Sequence, residues 1–460
     1  MFKKRGFILL ICLVLALALA ACSSGTSQNQ GNSGGGGGSN SGTTGGSTNT
    51  GNAGGSNDET ITLRFLHWVS EEVGHWEDVI ALYEAEHPNV KIESVPLVNN
   101  NNSYEYFKKL DLLAAAGDPM DLIMFSNGAD YAKRIDAGLL TPIDDFLTQE
   151  GVDIESEYNN TYGKVDGHYY GLPMKYTMNL VMINKNHLDE AGLPIPTDWT
   201  WDDYAAYAKA MTKGDRYGSY LHSWHQMHSV VKLLSSPEEP SLFKADGSHN
   251  LDNPLVRASL EFRYQLEQVD KSSVPYQEIF SQQLNYRQQF FSGRVSMVPI
   301  GSYMLTEWGE YRPDFEIAWA PWPKNDPDSP SYTVVGGDVI GIAEASKHKE
   351  EAYKFLRWLT TEGITQQGVW VPAWKGGEMA VTIERLVQTT PNPDKVHKES
   401  FVNVIANSTP VKGPIPPSYS SEGQTEFGSE VDLYLLGEQD LDTTLAKAID
   451  KVQKIIDSNK

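Results

Sequence analysis

Apolar and polar residues follow two different periods along the body of the chain, which begins near residue 60. Some short stretches alternate apolar and polar residues, as half-buried strands do, and longer stretches carry apolar residues at helical spacing. The order along the first 65 residues of the body is β-α-β-α-β, which predicts an α/β fold with a largely parallel sheet. The predicted elements are strands at 61–68, 90–95 and 122–125, and helices at 74–86, 104–116, 202–211, 254–267, 349–360 and 441–456.

The start of the chain has the pattern of a secretory signal. Three cations at positions 3–5 precede an apolar run at 7–21, which is shorter than the roughly 20 residues of a membrane-spanning helix. The run ends in Leu-Ala-Ala-Cys, which resembles a lipobox with Cys22 as the lipid-modified residue. We therefore expect residues 1–21 to be a lipoprotein signal peptide. The alternative is an ordinary secretion site followed by a chance cysteine.

A linker of small and polar residues follows Cys22. Residues 22–58 consist almost entirely of Gly, Ser, Asn, Thr and Gln, which cannot bury apolar surface. We expect a disordered spacer with an end-to-end distance of roughly 30–35 Å, suited to a Gram-positive surface. The only other cysteine, Cys12, lies in the signal peptide, so the mature chain is expected to contain no disulfide.

Charge and motifs exclude several functional classes. The formal net charge of −23 disfavours binding to nucleic acids and adsorption to anionic lipids. We find no phosphate-binding loop and no catalytic motif, and we expect no cofactor. His222, His225 and His228 are spaced by three, but no fourth ligand accompanies them, and we expect no metal.

Several short motifs of the body occur together in the order and spacing of one known family. The chain resembles the extracellular solute-binding proteins of carbohydrate importers, the group that includes maltose-binding protein. The resemblance covers about residues 61–456. In the first motif one residue is inserted between Pro and Asp, and in Gly301-Ser302-Tyr303 the tyrosine replaces the usual Trp. The motifs are Gly117-Asp118-Pro119-Met120-Asp121, Gly138-Leu139-Leu140, Tyr170-Gly171-Leu172-Pro173, Asn184-Lys185, Ala191-Gly192-Leu193, Trp199-Thr200-Trp201-Asp202-Asp203, Phe291-Ser292-Gly293, Gly301-Ser302-Tyr303, Gly336-Gly337 and Pro372-Ala373.

The resemblance implies a two-lobe periplasmic-binding-protein-like fold of type II, with a hinge of several chain crossings. It places the N-lobe at 59–172 and 330–370, and the C-lobe at 173–325 and 371–460. The ligand is expected in the interlobe cleft, which closes around it. The crossings are expected near residues 172–175, 323–331 and 371–377.

A sugar offers C–H faces to aromatic rings and hydroxyls to planar polar groups. Position in the family pattern therefore selects candidates from the many aromatic residues. The Trp68 ring either stacks on the sugar or covers the edge of the hydrophobic core, and Asn127 either binds ligand or caps a helix. The expected ligand-binding residues are Trp68, Ser126, Asn127, Asp130, Tyr176, Trp224, Ser302, Tyr303, Gly337, Asp338 and Trp374.

The resemblance implies a substrate-binding lipoprotein of an ABC importer that captures a mono- or oligosaccharide and delivers it to the permease. We expect a monomer without catalytic residues, held on the outer side of the cell membrane by acyl chains on Cys22. Its partners would be the carbohydrate, the transmembrane permease subunits and the membrane. Two alternatives remain, namely a surface lipoprotein enzyme acting on glycans and a solute sensor that partners a receptor.

Overall fold

The computed structural model describes residues 60–159 and 162–459. The expectations for the signal peptide, for Cys22 and for the linker at 22–58 therefore lie outside the described residues. Within the described ranges the chain forms two β-sheets with helices packed around them. No helix in these ranges is long and apolar enough to cross a membrane.

The structure contains the following elements in chain order. The strands are β1 (Ile61–His67), β2 (Val90–Pro96), β3 (Leu122–Phe125), β4 (Gly171–Pro173), β5 (Thr177–Asn184), β6 (Tyr217–Ser219), β7 (Val295–Gly301), β8 (Ile317–Pro321), β9 (Ser331–Gly336), β10 (Val339–Ile342) and β11 (Ser408–Lys412). The helices are α1 (Glu71–Gly74), α2 (Trp76–Glu86), α3 (Ser103–Ala116), α4 (Gly128–Asp136), α5 (Asp144–Glu150), α6 (Ile154–Glu157), α7 (Lys185–Ala191), α8 (Trp201–Met211), α9 (His225–His228), α10 (Pro254–Tyr264), α11 (Tyr276–Gln282), α12 (Tyr286–Phe291), α13 (Lys349–Trp358), α14 (Ile364–Gln367), α15 (Met379–Thr389), α16 (Lys398–Asn407), α17 (Ser420–Leu435) and α18 (Leu441–Ser458). Short 3₁₀ turns occur at Leu233–Ser235, Ser302–Leu305 and Pro393–Lys395, and π turns at Gln265–Val269 and Leu359–Gly363.

Local sequence signals explain several helix ends. The Asn102 side chain accepts hydrogen bonds from two backbone N–H groups of the first turn of α3. Gly117 ends this helix with a φ of 74°, which a residue with a side chain adopts only at a cost. Thr200 and Asp203 form a reciprocal capping box at the start of α8. The strands and helices predicted from periodicity are confirmed, with ends that differ by a few residues.

The first sheet contains the parallel strands that the sequence predicts. Its order is β2-β1-β3-β10-β4, and β1 pairs in parallel with both β2 and β3. The expectation of a largely parallel sheet is confirmed for this sheet. Only β10 runs antiparallel to its neighbours β3 and β4, so β1, β2, β3 and β4 all run in the same direction.

The second sheet is mixed and is centred on β5. Its order is β11-β9-β5-β7-β6, and β8 also pairs with β5. Strand β5 is antiparallel to β7, β8 and β9. Val181 and Ile183 pack in one hydrophobic core, whereas Leu180 and Met182 pack in another. This period of two gives the second sheet a core on each face, so the sheet is buried on both sides.

Strand β9 differs from the expected division into lobes. The resemblance places residues 330–370 in the N-lobe, but β9 at Ser331–Gly336 pairs with β5 and β11 in the second sheet. After β9 the chain returns to the first sheet at Val339, the start of β10. The sheet that β9 joins depends on pairing partners that lie far away in sequence, so local pattern does not identify it.

Candidate functional site

A buried lysine lies where the chain passes from the first sheet to the second. Lys175 lies between β4 and β5, and its side chain is only 8% exposed. Its Nζ lies 2.9 Å from Asp338 Oδ2 and 3.3 Å from Glu307 Oε1. Glu307 also pairs with Arg287 at 3.2 Å and accepts a 2.8 Å hydrogen bond from the indole nitrogen of Trp370. We call these five residues the crossing cluster.

The charges of the crossing cluster balance one another. Burial opposes the charge on Lys175, but the carboxylates of Asp338 and Glu307 outweigh it and raise the pKa of Lys175 above its usual value. Burial raises the pKa of Asp338 from 3.8 to about 6, although the Lys175 ammonium acts in the opposite direction. Buried charges are tolerated when they are paired and hydrogen-bonded, so each member of the cluster depends on the others.

Aromatic rings lie beside these charges on the second sheet's side. Lys175 Nζ is 5.6 Å from the centre of the Tyr303 ring, in the turn that follows β7. Trp224 is half-buried, lies 5.3 Å from Tyr286 and stacks on His222 at 4.7 Å with an interplanar angle of 21°. A partly exposed ring surface next to polar groups can hold a sugar by its C–H face.

A fully buried arginine positions the loop that carries Trp224. Arg263 pairs with Glu267 at 2.7 Å, and neither side chain is more than 1% exposed. The guanidinium also donates hydrogen bonds to the carbonyl oxygens of Leu221 and His222, at 2.8 and 3.0 Å. The ion pair therefore fixes the backbone just before the exposed indole.

Several of the predicted site residues meet around Lys175. Tyr176 follows it directly, Asp338 pairs with it and Tyr303 lies over it. A Cβ atom at Gly337 would lie 1.8 Å from the Lys175 carbonyl oxygen, so only glycine fits there. The structure thus brings four separately predicted positions to one place.

Ser302 and Trp224 occupy two further positions on the second sheet's side. Ser302 is 5% exposed, and its Oγ accepts a 3.2 Å hydrogen bond from the backbone N–H of Met178. Its hydroxyl therefore supports the turn that presents Tyr303. The Trp224 ring contacts the ring of Tyr286. That ring in turn lies 4.9 Å from the guanidinium carbon of Arg287, a member of the crossing cluster.

Ser126, Asn127 and Asp130 lie at the carboxyl end of β3. The Asn127 side chain accepts a 2.9 Å hydrogen bond from the Asp130 backbone N–H and donates another to the Asp130 carboxylate. Asp130 Oδ1 also lies 3.0 Å from Arg134 Nη1. Asn127 therefore caps α4, which is one of its two expected roles. Contact of Ser126, Asn127 and Asp130 with ligand stays a prediction.

Trp68 and Trp374 pack against the hydrophobic core of the first sheet. Trp68 is 6% exposed and lies 5.4 Å from Tyr106 and 6.4 Å from Phe107, which corresponds to the alternative in which its ring covers the core. Trp374 is half-buried, and its backbone pairs with Tyr158. A ligand role for Trp68 and Trp374 stays a prediction.

Sequence reasoning missed Lys175, Glu307, Arg287, Trp370 and Tyr286. Lys175 carried one usable signal, because a lysine directly after the apolar Gly-Leu-Pro crossing has to find a partner. The other four residues belong to no motif.

The histidine triplet does not form a metal site. His225 Nε2 lies 2.8 Å from Asp432, and His228 Nδ1 accepts a 2.7 Å hydrogen bond from the backbone of His222. Burial lowers the pKa of His222 to about 3, so this ring is neutral. In the part of the chain that the structure describes, no group of three or more His, Cys, Asp or Glu side chains could hold a metal ion.

Two sheets joined by repeated crossings, with a polar and aromatic site at those crossings, define a two-lobe binding protein. Residues 70–366 match the bacterial extracellular solute-binding proteins, and the chain belongs to that family. The family and its relatives are binding proteins rather than enzymes, which excludes the glycan-hydrolysing alternative.

Two relatives and one solved structure illustrate the similarity. The multiple sugar-binding protein of Streptococcus mutans is 24% identical over 67% of this chain and 73% of its own length. The arabinooligosaccharide-binding protein of Halalkalibacterium halodurans is 23% identical over 67% of this chain and 69% of its own length. The sugar-binding protein MalE of Xanthomonas citri has a TM-score of 0.66 at 18% identity, over 87% of this chain and 98% of that one. These comparisons confirm the two-lobe type II fold.

The buried Arg263–Glu267 pair predicts a large loss of stability. Glu267→Ala leaves the guanidinium buried without its carboxylate, so the free energy of unfolding should fall by about 3–5 kcal/mol. Glu350→Ala, which breaks the exposed pair with Lys354, should change it by no more than about 0.5 kcal/mol. Urea denaturation measures both, and equal effects would contradict the structural role given to Arg263.

The raised pKa of Asp338 predicts a specific pH dependence. The Asp338 carboxyl binds its proton more tightly in the native state than in the unfolded chain. Its protonation therefore stabilises the native state below pH 3.8, and this stabilisation is lost as the pH rises through about 6. Asp338→Asn removes the titrating group. The difference in free energy of unfolding between wild type and this variant should therefore fall across that window and stay constant above it. Asp328→Asn, at an exposed position, is the control, and a difference independent of pH for Asp338→Asn would contradict the assignment.

Proposed function

We propose that this protein is the substrate-binding lipoprotein of an ABC importer, which captures a mono- or oligosaccharide between its lobes and delivers it to the permease. The observation that carries the proposal is the half-buried Trp224 and the neighbouring rings of Tyr286 and Tyr303 beside the crossing cluster. Rings of this kind stack on sugar C–H faces, and polar groups nearby bind hydroxyls. The sugar ligands named for the two relatives support the same class of ligand.

Charge balance supports an uncharged ligand. Lys175 and Arg287 are both paired with carboxylates, and the His222 ring is neutral. An acidic ligand would need a free cation at this site, whereas a neutral saccharide needs only hydrogen-bonding groups. The proposed ligand-binding set remains the predicted one: Trp68, Ser126, Asn127, Asp130, Tyr176, Trp224, Ser302, Tyr303, Gly337, Asp338 and Trp374.

We further propose how the parts are arranged for transport. Acyl chains on Cys22 would hold the monomer on the outer side of the membrane, and residues 22–58 would let the body reach the permease. The lobes would comprise 59–172 with a segment ending near 370, and 173–325 with 371–460. Because β9 belongs to the second sheet, we place the start of the later N-lobe segment after Gly336.

A thermal-shift screen tests the ligand class. The purified full chain is heated with each member of a panel of mono- and oligosaccharides, with metal ions and peptides as controls. A ligand that binds only the folded state stabilises it by about 2.7 kcal/mol at a hundredfold excess over its Kd. Stabilisation by one sugar class is the expected result. Stabilisation by a peptide or metal alone would overturn the sugar assignment.

A tryptophan substitution tests the position of the site. Trp224→Ala removes the exposed stacking ring, so the Kd for the sugar found in the screen should rise by about tenfold, or ~1.4 kcal/mol. Trp358→Ala is the matched control, because Trp358 is also half-buried but packs on Tyr83 and Phe355 in the first core. Calorimetric titration measures both affinities, and an equal loss in the two variants would place the ligand elsewhere.

A further inference from the structure

A proline-rich segment held by the second lobe reaches the first lobe beside the predicted sugar-binding residues. We call residues 412–419, Lys-Gly-Pro-Ile-Pro-Pro-Ser-Tyr, the strap. Before it, β11 pairs with β9 in the second sheet. After it, Phe427 and Val431 of α17 pack in a core of the second sheet. Both ends of the strap are therefore fixed to the same lobe.

The middle of the strap touches two glycines of the first lobe. A Cβ atom at Gly128, the first residue of α4, would lie only 3.0 Å from Pro416 Cδ. A Cβ atom at Gly163 would lie 3.5 Å from Ile415 Cδ1. The strap thus crosses from one lobe to the other and packs directly against the backbone.

The glycine at position 128 is explained by this contact. Its φ does not lie in the left-handed region, so the backbone there would accept any residue. Glycine is also a poor helix former, which makes it costly at the start of α4. The close approach of Pro416 favours glycine, since a Cβ atom at position 128 would push the proline ring away by a few tenths of an ångström.

The strap is stiff. Pro414, Pro416 and Pro417 each fix φ near −65° and lack a backbone N–H group. At its end, the Tyr419 hydroxyl donates a 2.7 Å hydrogen bond to the carbonyl oxygen of Gly247. A segment with this composition acts as a fixed wall rather than as a loop that moves aside for a ligand.

The strap lies next to the predicted ligand-binding residues. Ser126 and Asn127 immediately precede Gly128, at the carboxyl end of β3. On the other side, Tyr162 precedes Gly163 and donates a 2.7 Å hydrogen bond to the Gly337 carbonyl oxygen. The strap therefore contacts the residue that directly follows two predicted ligand-binding positions.

We propose that the strap forms an end wall of the cleft and sets an upper limit on the length of the bound saccharide. This inference rests on the proposed function, since it concerns the same cleft. The apolar Ile415 and Pro416 exclude a further sugar unit by occupying its place, which is discrimination by a steric clash.

Two variants test the wall from opposite lobes. Pro416→Ala, combined with Ile415→Ala, removes the atoms that touch the first lobe. Gly128→Ala adds a methyl group against Pro416, which shifts the proline ring by only a few tenths of an ångström and removes none of the strap. Pro393→Ala, at a half-buried proline of a 3₁₀ turn, is the control. Melting temperatures establish that each variant is folded.

Native mass spectrometry of the full chain in detergent gives the length of the bound saccharide directly. The probe is a pool of linear glucans, mannans and arabinans from mono- to hexasaccharides. We expect wild type and Pro393→Ala to share one upper length. In the Pro416→Ala, Ile415→Ala variant, occupancy by saccharides one unit longer, relative to the shorter ones, should rise by roughly tenfold. Gly128→Ala should keep the wild-type upper length, because it removes no atom of the strap.

The outcomes separate the two proposals. If wild type retains sugar and the Pro416→Ala, Ile415→Ala variant retains the same length distribution, the strap does not limit length and the inference is overturned. If wild type retains no sugar from the pool while a peptide or metal ion binds, the proposed function fails and this inference fails with it. A longer distribution in Gly128→Ala alone would also contradict the wall, because that variant removes none of its atoms.

Discussion

Lys175 imposes the main physical constraint on this fold. A buried ammonium group has to be paired, and its two carboxylates come from distant parts of the chain, 132 residues on at Glu307 and farther still at Asp338. Trp370 and Arg287 bind the same Glu307. Lys175, Asp338 and Trp370 lie at crossings between the sheets, and their contacts with one another and with Glu307 hold these crossings together. The cluster therefore draws residues from several distant parts of the chain.

The same constraint determines what kind of surface is left for a ligand. Charges inside the cluster are matched, so the groups that remain accessible beside it are rings and hydroxyls. Arg263 and Glu267, also buried and paired, fix the loop that presents Trp224. Two groups of buried, paired charges therefore support an aromatic surface that is not itself charged. This separation of supporting charges from binding surface suits a neutral, hydroxyl-rich solute.

Local patterns predicted what depends on local physics. The alternation in β1 and the helical spacing in α2 and α8 act within a few residues, and these elements formed as expected. The family motifs selected Tyr303 and Gly337, which lie beside Lys175. The position of β9 depends on distant pairing, and so do the partners of Lys175, so no short window of sequence contained them. Asn127 and Trp68 each allowed two interpretations, which only neighbours in space could separate.

Hydrogen–deuterium exchange of the full chain, with and without the sugar that stabilises it most, tests most directly whether the ligand is held between the lobes. A ligand held between the lobes should slow exchange on both sides of the cleft, at residues 126–131 of the first lobe and at 222–228 and 302–307 of the second. Exchange should also be slower at the crossing around Gly337. Slowing confined to one lobe would contradict an interlobe site, because a ligand held by both lobes protects both.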